Sequence, residues 1–304
     1  MPRTHSQPHP KRPKPDIYTG VPFDAYLQWP YLNNTLLSHA ARSMAHFRAA
    51  EEADEEKSSD AQQLGSLIHT GVLEPDQIRR QFVVQPDFTA RVLEEKPDCK
   101  KPRATSRYRE LVAEFQQLHS GKQIVTQDEY DAVLGIHASL REHQRAAKYL
   151  RHGRAEVSLV WDDPETGLRC KARIDYWQQR SRRLTDLKTT RDAGRFEKFV
   201  AEYGYHRQMA FYSDGLAVLT GKAHEACLVA IEPCSPFAVR AAPLGSEALD
   251  AGRQEYRRLL NQIAECREND HWPGYADPEA WVLPAWARTP EPQSLIVNGQ
   301  AVTV

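Results

Sequence analysis

Cysteine is scarce in this chain and scattered where it occurs. Cys99, Cys170, Cys227, Cys234 and Cys266 form no CxxC pair and join no His/Cys cluster at zinc spacing, so no zinc ribbon and no iron–sulfur cluster is expected. Their dispersal reads as reduced, structural thiols in a cytoplasmic setting. Long hydrophobic runs are missing too. No stretch is long enough to span a bilayer, and the basic, proline-bearing N-terminus lacks the continuous apolar segment of a secretory leader, so neither membrane insertion nor secretion is expected. Nor is there an excess of either charge: 40 Lys and Arg balance 41 Asp and Glu for a net charge of −1, so any nucleic-acid contact must come from local clustering. What remains is a chain of 304 residues, 40% of them hydrophobic, long enough for one large or two modest domains.

Residues 1–17 carry five prolines and several basic side chains with almost no large apolar residue. Such a composition does not offset the entropy of ordering, and a flexible tail is expected. From Tyr31 to about Glu56 apolar residues (Leu32, Leu36, Leu37, Ala40, Ala41, Met44, Phe47) recur at helical intervals, and Leu64–Leu73 predicts a second helix. The charged, proline-punctuated stretch Asp87–Ser106 predicts a loop, and Arg107–Leu118 and Gln127–Leu150 read as helices. At Ala155 the period changes. Val157, Leu159 and Trp161 alternate with Glu156, Ser158 and Val160 as in a half-buried strand, and Asp162 to Gly167 is a turn signal. Strands over Leu168–Trp177 and Arg183–Thr189 complete a three-stranded meander. Phe196–Leu219 is mainly helical, Ala226–Ile231 is an apolar strand, Glu247–Arg267 is a long amphipathic helix, and the last fifteen residues read as a loose tail.

Within the meander, Asp186 and Lys188 lie two apart and emerge on one face of their strand, as do Arg173 and Asp175 on the preceding one. If these strands pair, Asp175 and Asp186 approach each other, and two adjacent carboxylates repel unless a cation sits between them. Magnesium fits such a pair: it takes hard oxygen ligands, keeps several waters and needs only one or two protein carboxylates beside substrate phosphate oxygens. A metal there would activate water and neutralise charge on a phosphodiester, with Lys188 orienting the water or stabilising the transition state. An Asp-x-Lys pair alone has a plainer explanation, a solvated and salt-bridged sheet face.

Several separate motifs in order favour the chemical explanation. Leu64-Gly-Ser-Leu-Ile-His69, Glu156-Val-Ser-Leu-Val-Trp161, Cys170-Lys-Ala-Arg-Ile-Asp175-Tyr176, Asp186-Leu-Lys-Thr-Thr190, Tyr205-His-Arg-Gln208-Met-Ala-Phe-Tyr212 and Trp272-Pro-Gly-Tyr275 together resemble the nuclease domain of the RecE (exonuclease VIII) family, in the RecB-like branch of the PD-(D/E)xK superfamily. The resemblance covers about Pro22 to Trp286. It implies an α/β (α+β) restriction-endonuclease-like core, a central mixed sheet flanked by helices, with a helical N-terminal half. The organisation expected is one nuclease domain over 18–288, with a helical part at 30–150 and the catalytic core at 154–268, followed by a tail at 289–304.

The resemblance also implies roles. Asp175, Asp186, the backbone carbonyl of Leu187 and His69 would ligate magnesium, with manganese able to substitute, and Lys188 would be the catalytic lysine. Glu156 matches an acidic position whose contact, with metal, water or an arginine, stays open. His69 taken alone would be an ordinary surface or packing residue. Gln208 and Tyr212, four apart, share a helix face with Tyr205 and would hold the DNA backbone or brace the catalytic strand. Thr189 and Thr190 are placed to reach phosphate oxygens, and Arg173 belongs to the densest basic segment around the site. The activity implied is 5′–3′ digestion of linear double-stranded DNA during phage or prophage-type recombination, by a ring-shaped homotetramer acting on DNA ends with a single-strand annealing protein. A RecB-like endonuclease or single-strand nuclease, and a DNA-binding or assembly protein with the fold but not the chemistry, are the alternatives.

Overall fold

The computed structural model describes residues 12–53, 60–284, 287, 294–297 and 300–303. The expected N-terminal tail is corrected where it is described: residues 12–17 are not loose, because β1 (Asp16–Tyr18) pairs antiparallel with Ser158 to Val160. Residues 1–11 lie outside the described part. The five-residue helix α1 (Phe23–Leu27) follows. The single helix expected from Tyr31 is broken into α2 (Asn34–Arg42) and α3 (Met44–Glu52), because Ser43 adopts an extended conformation and its hydroxyl caps the amide of His46. Residues 54–56 of that expected helix lie outside the described part.

Helices α4 (Asp60–Leu73) and α5 (Pro75–Gln81) lead to β2 (Phe82–Val84). The loop expected at Asp87–Ser106 contains α6 (Thr89–Glu95), whose first turn is held by Asp87 accepting from the amide and hydroxyl of Thr89. Phe88 and Val92 pack there against Leu111 of α7 (Ser106–Leu118), a small core of their own that the charged local sequence does not advertise. β3 (Gln123–Val125) pairs parallel with β2, and a Thr126–Glu129 capping box starts α8 (Gln127–Glu142). His143 ends α8 and caps α9 (Gln144–Tyr149), dividing another stretch expected to be one helix.

The meander is β4 (Arg154–Asp162), β5 (Arg169–Gln178) and β6 (Arg183–Thr189), followed by α10 (Phe196–Glu202), α11 (Tyr205–Thr220), β7 (Glu225–Ile231), β8 (Val239–Pro243) and α12 (Ser246–Asn269). The sheet order is β1-β4-β5-β6-β7-β8; β6 and β7 are parallel, joined by the α10–α11 crossover, and the other pairs are antiparallel. The C-terminal tail expectation is corrected as well where it is described: β9 (Ser294–Val297) and β10 (Gln300–Thr303) pair antiparallel, while 289–293, 298, 299 and 304 lie outside the described residues. Among the described residues no helix is long and apolar enough to cross a membrane.

Helices cover both faces of the sheet. One face packs Val157, Leu159, Trp161, Ile174 and Leu184 against α2, α3, α11 and α12; the other packs Leu187, Val229 and Ile231 against Leu67 and Ile68 of α4 and Ile136 and Leu140 of α8. β4 is therefore not half-buried as its alternation suggested. Ser158 and Val160 are also buried, Val160 beneath Tyr26 and Trp29 around α1. The middle of α11 is buried between the sheet and α12, whose Gly252 leaves room for the backbone of His206 and Arg207.

Candidate active site

The site is built where two paired strands part. β5 and β6 pair through Gln178↔Arg183, Trp177↔Leu184 and Tyr176↔Thr185, and the ladder stops there. One further step in the same register would set Asp175 opposite Asp186. Instead the amide of Leu187 donates to Asp175 Oδ2 at 2.7 Å, and further along β5 the edge vacated by β6 is taken by the backbone of Leu32, which bonds with Arg169 and Lys171. On the other side of β5 the position facing Asp175 belongs to Glu156, which is flanked by the pairs Ala155↔Tyr176 and Val157↔Ile174 and has φ +53°. That conformation strains an L-residue and interrupts the pleat, so Ile174 and Trp177, three apart, enter the same core. The kink and the fork coincide at Asp175.

α4 brings His69 to this point. Its Nδ1 lies 3.5 Å from Asp175 Oδ2, and ligand atoms of His69, Glu156 and Asp175 lie within 4.8 Å of one another. Burial pushes the Asp175 carboxyl up to about 7, Asp186 and Glu156 add to the rise, and His69 and Lys188 oppose it. Asp175 is thus a buried carboxylate short of positive charge.

Asp186 and Lys188 share a face of β6, and their side chains form an ion pair at 2.8 Å. Burial pulls the Lys188 ammonium down, but Asp186 and Asp175 more than reverse this and hold it above the usual lysine range. It stays protonated. The ammonium also lies 4.7 Å from the ring centre of Tyr205. Gln208 donates to Asp186 Oδ1 at 3.0 Å, while Oδ2, buried, receives no aligned hydrogen bond beyond the ionic contact with Lys188. Tyr212, one turn along α11, is buried in the same region, and burial raises its phenol well above the usual range.

The remaining expected residues are disposed differently. Arg173 binds Glu156, donates to the Val21 carbonyl at 2.9 Å and to Ser158 Oγ at 3.2 Å, and lies 5.8 Å from the ring centres of Phe23 and Tyr26. Much of its donor capacity is committed within the protein. The Thr190 hydroxyl is turned into a local bend at Asp192, whereas Thr189 is exposed. Glu156, the residue left open by the sequence, is grouped with His69 and Asp175, and Asp186 stands outside that compact group. Glu74 was not anticipated. It follows α4, and its carboxyl is raised by burial and by the charge of Glu156. Its spacing of five from His69, at the end of the same helix, was the available signal.

The donor set suits a hard divalent cation. Two carboxylates and an imidazole converge, and the Leu187 carbonyl projects to the same side of its strand as the amide that meets Asp175. Asp186 Oδ2, 2.8 Å from the Lys188 ammonium, is a further carboxylate oxygen beside this group. A forked mixed sheet carrying Asp175, Asp186-Leu187-Lys188 and a helix-borne glutamine defines a PD-(D/E)xK nuclease-like domain. The chain belongs to the family described as PDDEXK-like domain of unknown function (DUF3799), which matches residues 34–280. Among solved structures it is similar to a "putative exonuclease" from Eubacterium rectale, at 14% identity with a TM-score of 0.53, over 86% of this chain and 97% of that one. A second structure, SSO0001, covers 64% of this chain and 86% of its own at 15% identity, with a TM-score of 0.26 that supports no argument. No curated protein matches the chain.

Proposed function

We propose that this protein is a divalent-metal-dependent deoxyribonuclease, an exonuclease that hydrolyses phosphodiester bonds of linear double-stranded DNA. The observation that carries this reading is the convergence of His69, Glu156 and Asp175 at the strand fork, beside the Asp186–Lys188 ion pair. Such a cluster places acidic oxygens, an imidazole and a fixed ammonium around a space in which a phosphate would sit.

Magnesium, or manganese in its place, would be held by Asp175, Asp186, His69 and the Leu187 carbonyl, with Glu156 at hand, and when bound would supply positive charge to the phosphate and acidify water. Lys188, an ammonium paired with Asp186, would donate hydrogen bonds that stabilise negative charge developing on the phosphodiester or orient the attacking water. Gln208 holds Asp186 in place from α11, and the Leu187 amide does the same for Asp175.

The RecE resemblance extends the proposal to 5′–3′ digestion from DNA ends in the cytoplasm, in phage-type recombination with a single-strand annealing protein, by a homotetramer. The test uses linear duplex DNA labelled at its 5′ ends, a closed circular control, and magnesium, manganese or a chelator. Early release of label from linear DNA, with the circle intact, is expected. Equal cleavage of the circle would replace the exonuclease by an endonuclease, and intact DNA under every metal condition would overturn the reading.

A further inference from the structure

Two exposed aromatic side chains stand at the ends of a continuous chain of contacts through the site. At one end Phe23 is 56% exposed; the guanidinium of Arg173 lies over its ring and binds Glu156, which belongs to the His69–Asp175 cluster. At the other end Tyr203 is 53% exposed, with its ring 5.7 Å from that of Tyr205, the ring that faces Lys188. A single exposed aromatic residue is unremarkable on a protein surface. Two of them, each linked to the charged centre through one cationic or aromatic neighbour, are a pattern.

Both are held firmly. Lys171 is only 3% exposed, and its ammonium donates to the carbonyls of Tyr26, Leu27 and Trp29, fixing the end of α1 against β5. Burying an ammonium is costly unless its donors are satisfied, and here they are spent on fixing a five-residue helix that carries Phe23. Phe23 also stacks on Tyr26, with ring centres 6.4 Å apart. Tyr203 stacks on Phe199 at 5.7 Å, and Tyr205 on Phe196 at 5.9 Å. Both exposed side chains are therefore supported by packed neighbours.

We infer that Phe23 and Tyr203 are nucleobase-stacking residues, and that the site takes unpaired nucleotides on either side of the scissile phosphate, so that a duplex end is engaged with its last bases unstacked. This deepens the nuclease proposal and rests on it. A base offers a flat π-face whatever its identity, so aromatic shelves beside a phosphate-directed centre select for unpaired strand rather than for sequence.

The experiment measures binding of a single-stranded oligothymidylate, intact or with internal abasic positions, in calcium to suppress cleavage, for the full chain and the variants Phe23→Ala, Phe23→Trp and Tyr203→Ala. Each alanine variant should weaken binding of the intact oligonucleotide by about fivefold or more, the low end of one base–aromatic stack, and Phe23→Trp should retain it. The affinity lost by wild type on abasic substitution should shrink in the alanine variants, because the ring that read the base is gone. Unchanged affinity in both alanine variants, or a full abasic penalty in them, would overturn the inference while leaving the nuclease reading intact. Failure of wild type to bind or cut any DNA would overturn both.

Discussion

The amide of Leu187 donates to the side chain of Asp175, at 2.7 Å, at the point where the β5–β6 ladder ends. A backbone donor that would ordinarily serve the sheet serves a carboxylate instead. The strands can then part without leaving this amide unsatisfied, and the aspartate is aimed at the opening.

Asp175→Asn tests that electrostatic setting. The carboxyl is raised from 3.8 to about 7, so in the metal-free protein the folded state keeps a proton that the unfolded chain loses over that interval. Its contribution to stability is complete below the unfolded value and is lost as pH rises through the folded one. Metal-free wild type should therefore lose Tm relative to Asp175→Asn between about pH 4 and about pH 7, and the Tm gain from magnesium or manganese should grow over the same interval. Parallel Tm–pH curves for the two proteins would contradict the assigned shift.

Lys188→Ala removes the cation beside a buried Asp186. Breaking one partner of such a pair costs about 3 kcal/mol, and less here because the lysine is partly accessible. Urea unfolding should show that loss without metal and a partial recovery with it, since a bound cation takes over the charge compensation. Digestion of linear duplex DNA should be lost even in the folded, metal-loaded variant; retained digestion would remove Lys188 from the chemistry.

Gln208→Ala deletes the hydrogen bond to Asp186 Oδ1. A buried acceptor left unpaired costs about 1–3 kcal/mol, to be read as a fall in Tm. Activity should fall about tenfold or more yet remain measurable, because Gln208 orients Asp186 and does not replace it. Gln208→Glu sets a second carboxylate against Asp186 and should be the more damaging change at neutral pH.

Gly252→Ala separates scaffold from chemistry. An added methyl would run into the backbone of His206 and Arg207 where α12 crosses α11. Overpacking of this kind costs about 1–3 kcal/mol. Because α11 carries Gln208, Tyr212 and Tyr205, activity should fall together with Tm. A loss of Tm with unchanged kcat would show that the site tolerates movement of α11.

The sequence by itself determined the local periods. The period-two alternation set out β4, β5 and β6 to within a residue or two and put Asp186 and Lys188 on one face, and helical spacing put Gln208 and Tyr212 on one side of α11. It misjudged the places where a local signal competes with packing. Ser43 and His143 each end one helix and cap the next, and α6 is held by Phe88 and Val92 packing on Leu111 of the following helix α7, across a charged, proline-bearing segment. Only the tertiary structure decided where the β5–β6 ladder stops, that Glu156 takes a left-handed conformation beside Asp175, that α4 delivers His69 to them, and that Arg173 and Lys171 are tied to α1 and the segments beside it. The physical reason is range. Periodicity follows from the geometry of a few neighbouring residues, whereas the end of a ladder and the convergence of a helix on it depend on which distant segments compete for the same backbone groups and the same buried surface.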